Sequence, residues 1–104
     1  MGERFITPAS LPTAREREIL NIIIEECAEV QHRACKALRF GLGEVQPGQQ
    51  LSNSVRLAEE VGDLGAILAL AEREGLIDQQ RINAAAERKN EKLAIFMQTE
   101  KVDG

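Results

Sequence analysis

The chain has 104 residues, 43% of them hydrophobic and 29% charged, with a formal net charge of −4. That length holds one domain, near the size at which a single core is marginal. The acidic balance excludes a general nucleic-acid binder, which carries a basic surface, and no segment reaches the 18 or so apolar residues of a membrane span. A nucleotide substrate stays open, because a bound metal reverses the local field.

Residues 1–12 contain Pro8 and Pro12 and read as an irregular arm, able to lie over a neighbour through Phe5, Ile6 and Leu11. Thr13 followed by Glu16 has the form of a capping box, so the first helix is expected near Ala14. The apolar positions Ile19, Leu20, Ile23, Cys27, Val30, Ala34, Ala37 and Leu38 carry it at helical spacing to about Phe40, where Gly41 and Gly43 end it. Residues 41–51, with Pro47 and Gly48, form the substantial loop. Ser52 or Asn53 then caps a second helix over about 53–74, with Val55, Leu57, Ala58, Val61, Leu64, Ile67, Leu68 and Ala71 on its buried side. Gly75 suits the position just past its end. Asp78 caps a third, more polar helix over about 79–97, and residues 99–104 are a tail.

These elements predict an all-α helical bundle of long antiparallel helices, with the folded domain over residues 13–98. The apolar faces of the first two helices are broad enough to require more than one partner. The bundle is therefore expected to be completed by homo-oligomerisation, as a homodimer or else a tetramer. Cys27 and Cys35 lie eight residues apart on one helix, about 12 Å of rise and too far for a disulfide within it. They fit a reducing compartment, with Cys27 as a small core residue. A cytoplasmic location without membrane attachment is the expectation.

Four carboxylates interrupt these stripes. Glu26 and Glu29 on the first helix, and Glu60 and Asp63 on the second, are each spaced i, i+3, which puts both members of a pair on one helical face. Charge within an apolar face is costly unless it is compensated. Two such helices facing each other gather at least four carboxylate oxygens, a set suited to Mg²⁺ with Mn²⁺ as substitute. Glu25 sits at the edge of the group. Gly62 and Gly65 flank Asp63 at roughly 1 kcal/mol each against alanine in a helix interior, which asks for close helix approach or room for a ligand. Glu29 and His32 form Glu-x-x-His, the motif of di-iron bundles. Those need it on two helices, and this chain has one histidine.

The run Glu25-Glu26-Cys27-Ala28-Glu29, followed some thirty residues later by Glu60-Val61-Gly62-Asp63, resembles the EExxE…ExxD signature of MazG-like all-α nucleoside triphosphate pyrophosphatases. Arg88-Lys89-Asn90-Glu91-Lys92 on the third helix resembles that family's K-x-N-x-K/R segment, with Arg88 where lysine is usual. The resemblance spans about 16–96. It implies hydrolysis of a (d)NTP between the α and β phosphates to (d)NMP and pyrophosphate. Glu26, Glu29, Glu60 and Asp63 would hold Mg²⁺. Glu25 would be a further ligand or, with Glu26, part of the catalytic pair that orients water, and Arg88, Asn90 and Lys92 would meet the substrate phosphates. The chain has no Trp or Tyr, so base stacking would fall to Phe40, Phe96, His32 or an arginine. The same motif fits another phosphorylated substrate such as phosphoribosyl-ATP. Two other readings are a carboxylate-bridged Fe/Mn bundle and a catalytically silent helical dimer acting as adaptor or regulator.

Overall fold

A computed structural model describes residues 11–99. Three α-helices follow one another: α1 (Ala14–Phe40), α2 (Asn53–Arg73) and α3 (Gln79–Phe96). Among the described residues there is no strand. Most of the N-terminal arm, with Phe5, Ile6 and Pro8, and the last five residues of the tail lie outside the described residues.

Local chemistry sets each boundary. At Thr13 the capping box is complete: the Glu16 amide donates to Thr13 Oγ1 at 3.1 Å, and the Thr13 amide donates to Glu16 Oε1 at 2.9 Å. Ser52, rather than Asn53, caps α2 by accepting from the Val55 amide, and Asp78 caps α3 by accepting from the Arg81 amide. Gly41, at φ 105°, ends α1 with its amide on the Ala37 carbonyl. At the end of α2, Gly75 takes φ 83° and the Leu76 amide reaches back to the Ala71 carbonyl at 2.9 Å. That six-to-one bond, with Leu76 folded onto the core, is a Schellman stop.

The α1–α2 loop is tied rather than slack. Gln46 to Gln49 form a β-turn with Pro47 second and Gly48, at φ 82°, third. The Asn53 and Ser54 amides donate to the carbonyls of Glu44 and Leu42, both at 2.9 Å. Asn53, only 1% exposed, donates its side-chain amide to the Gly41 carbonyl at 2.8 Å and to Glu44 Oε1 at 3.0 Å. One buried side chain thus fastens the end of α1, the loop and the start of α2.

Packing is confined to a narrow seam between α1 and α2. Its apolar centre is Ile19, Ile67 and Ala71, with Ile22, Ile23, Leu64, Leu70, Leu76 and Ile77 partly buried around it. The breadth of burial expected from the sequence is not reached within one chain. Leu38 is 89% exposed, and Leu20, Val55 and Val61 are also on the surface. Cys27, expected in the core, is exposed, as is Cys35. The reason is geometric: two helices touch along one line, and residues a third of a turn away on either helix stay uncovered. α3 has no buried residue. Gly62 and Gly65 have open space where a Cβ would stand, so close approach within this chain does not explain them.

Asn53→Ala removes the side-chain bonds to the Gly41 carbonyl and to Glu44 Oε1, leaves that carbonyl only the long 3.4 Å bond from the Glu44 amide, and loosens the loop. The expected cost is about 2 kcal/mol of stability, read as a lowered urea midpoint at unchanged slope.

Candidate metal centre

The apolar contact at one end of the seam and the tied loop at the other fix the helices between them. Ile19 lies against Ile67 and Ala71, and Ala34 and Ala37 share an apolar groove with Leu57. Between these levels Glu26 of α1 comes opposite Glu60 and Asp63 of α2. One carboxylate oxygen from each of the three lies within 4.8 Å of the others, with Glu26 and Glu60 half-buried and Asp63 exposed. The i, i+3 spacing on α2 makes this possible, because Glu60 and Asp63 project from one face toward the same point on α1.

The electrostatics follow from the crowding. The Glu26 carboxyl is held above the usual carboxylate range, first by partial burial and then by the charges of Asp63, Glu60, Glu29 and Glu25. The other four acids singled out in the sequence therefore all act on Glu26, though only Glu60 and Asp63 join it in the tight group. Glu29 stands next to it and contributes repulsion, as does Glu25. His32 is exposed, consistent with a surface residue.

The donor set is all oxygen, drawn from two rigid helices and open to solvent on the Asp63 side. It fits a hard divalent cation such as Mg²⁺ or Mn²⁺, which takes carboxylates and keeps several waters. It does not resemble a di-iron set, since no second histidine exists to complete one.

The predicted phosphate contacts stand apart from this group within the chain. Arg88, Asn90 and Lys92 lie on α3, where every residue is exposed, and neither Arg88 nor Lys92 is among the charges acting on Glu26. A further polar residue, on α1 itself, stands out by its burial. Arg33 is 8% exposed on the α2-facing side of α1, and its Nε and Nη1 have no hydrogen-bond partner; Oδ1 of Asn53 is likewise buried and unpartnered. The signal was present in the stripe Glu26, Val30, Arg33, Ala37, whose spacing places the arginine on the buried face.

A scan against protein-family models finds no match, and searches of curated proteins and of solved structures find none either. No helix of the described residues is long and apolar enough to cross a membrane.

The raised Glu26 value gives a signed pH dependence. A carboxyl that binds its proton more tightly folded than unfolded favours the fold while protonated. In metal-free protein this contribution is lost as pH rises from the unfolded value near 4.5 through the higher folded value. Glu26→Gln should remove it. The expected result in EDTA is a melting-temperature gap between the variant and wild type that opens in the variant's favour across that window. Saturating Mg²⁺ should close the gap by stabilising wild type alone.

Proposed function

We propose that this protein is a Mg²⁺-dependent nucleotide pyrophosphohydrolase of the MazG-like kind, cleaving a (d)NTP between the α and β phosphates to (d)NMP and pyrophosphate. The observation that supports it is the convergence of Glu26, Glu60 and Asp63 within 4.8 Å on two helices. Three carboxylates at that distance repel one another and are a poor device for stability alone. They become favourable once a cation is held between them.

Glu26, Glu60 and Asp63 would hold the metal, with Glu29 completing or bracing the set. Bound there, the cation supplies charge neutralisation for phosphate oxygens and a lowered pKa for its water. Glu25, exposed beside the group, would accept a hydrogen bond from the attacking water and orient it toward the α-phosphorus. Arg88, Asn90 and Lys92 would bind the β and γ phosphates. Because α3 stands away from the acidic face of its own chain, their delivery fits an antiparallel hairpin that pairs with a second copy.

A homodimer also answers the packing. Among the described residues the buried apolar core is three residues, while Ile24, Leu38, Val61, Ile95 and Phe96 are each more than half exposed. Soluble chains rarely leave so much large apolar surface without a partner. We place the protein in the cytoplasm, where nucleotide and Mg²⁺ are available, with no stable attachment to nucleic acid or membrane.

The test is pyrophosphate release from canonical and modified (d)NTPs with Mg²⁺, with Mn²⁺ and with EDTA. Metal-dependent release is expected, and Glu60→Ala and Asp63→Ala should stay folded by circular dichroism while losing turnover by several orders of magnitude. A silent adaptor would show no release from any nucleotide, and a variant with near-normal rates would sink the site.

A further inference from the structure

Arg33 presents a physical problem that its own chain leaves unsolved. Its guanidinium is almost wholly buried, and Nε and Nη1 are neither exposed to solvent nor bonded to protein. A buried charge without a partner is strongly unfavourable, and a Met or Leu of similar volume would be the stabilising choice for a helix seam. Among the described residues the ion pair is Arg15 with Glu74, at the other end of the seam. The charged groups nearest in register are Glu29, one turn before Arg33 on α1, Lys36, one turn after it, and Glu60 and Arg56 on the facing α2. Neither acid comes within ion-pairing distance of it, and Arg56 donates to Gln46 instead.

Its position suggests what the missing partner is. Arg33 follows Glu26 by seven residues on the same face, about 10 Å along the axis, and long helical side chains as a rule tilt toward the helix N-terminus, which from Arg33 is the direction of the carboxylates. On α2 the register puts it between the level of Leu57, which meets Ala34 and Ala37, and that of Glu60, which meets Glu26. The register therefore puts a planar fork of donors about two turns of α1 from the candidate cation site, in a seam that already holds a surplus of carboxylates. The one kind of partner that brings its own compensating cation to such a place is a phosphate chain. Guanidinium suits it because it offers paired donors and sheds water readily.

We propose that Arg33 is an anion-binding residue that receives the far end of a polyphosphate whose near end is held by the cation at Glu26, Glu60 and Asp63. This rests on the metal reading of that cluster. The small exposed edge of the guanidinium meets the phosphate oxygens at the rim of the seam, so its delocalised charge is paired in the complex while Nε and Nη1 stay buried. Arg33 is thus kept for binding at the expense of stability.

Arg33→Met and Arg33→Lys separate this from a structural role. The probes are Mg²⁺ alone, and inorganic tripolyphosphate with and without Mg²⁺, by titration calorimetry, alongside urea denaturation. For Arg33→Met the expected result is unchanged Mg²⁺ affinity, a urea midpoint equal to or above wild type, and tripolyphosphate binding weakened tenfold or more; Arg33→Lys should fall between. A variant that loses stability yet binds tripolyphosphate like wild type would overturn the proposal, as would wild type that binds no tripolyphosphate. Failure of wild type to bind Mg²⁺, with metal-free tripolyphosphate still lost in Arg33→Met, would instead reject the cation site and leave the anion contact standing.

Discussion

The repulsion among Glu26, Glu60 and Asp63 is the constraint around which the remainder of the fold is arranged. Left to themselves, α1 and α2 would separate at that level. They are held by two unlike clamps: the Ile19–Ile67–Ala71 contact on one side and the Asn53-tied loop on the other. Neither clamp touches the carboxylates. The acidic level is thus an imposed juxtaposition, held by contacts other than its own. The bidentate Arg15–Glu74 pair, with bonds of 2.8 and 3.0 Å from Arg15 Nε, reinforces the apolar end. It is solvent-exposed and adds little by itself.

The polar residues of the seam form a graded series. The apolar end carries ordinary hydrophobic burial, the middle carries unpaired negative charge, and beyond it lie an unpaired guanidinium and a buried amide with one free acceptor. Such an arrangement has a small favourable margin in one 104-residue chain. The protein stores its unmet interactions in one place.

Much of this was legible in the sequence, and the parts that were not share a cause. The caps at Thr13, Ser52 and Asp78 and the glycine stops are local chemistry, determined within four or five residues, and each stands where it was expected. The convergence of Glu26 with Glu60 and Asp63 was legible because i, i+3 spacing selects a face and a hairpin selects the partner face. Burial was not. Periodicity reports which residues point one way, and says nothing of how wide the covering neighbour is; Cys27 and Leu38 lie on the stripe yet off the line of contact. Arg33 was missed for the converse reason, since an arginine on a helix reads as surface until the register is known.

The tied loop has a consequence for how the chain tolerates change. Its ends are clasped at Glu44 and Leu42 by the first residues of α2, so the Pro47–Gly48 tip is a closed excursion rather than a hinge. Lengthening it adds little loop-closure entropy and does not move the helices that it joins. Added segments, from a few residues to a folded module, can therefore accumulate at that tip while the seam below stays in register. Within α1 or α2, a single inserted residue would rotate the following side chains by about 100° and scatter the carboxylates.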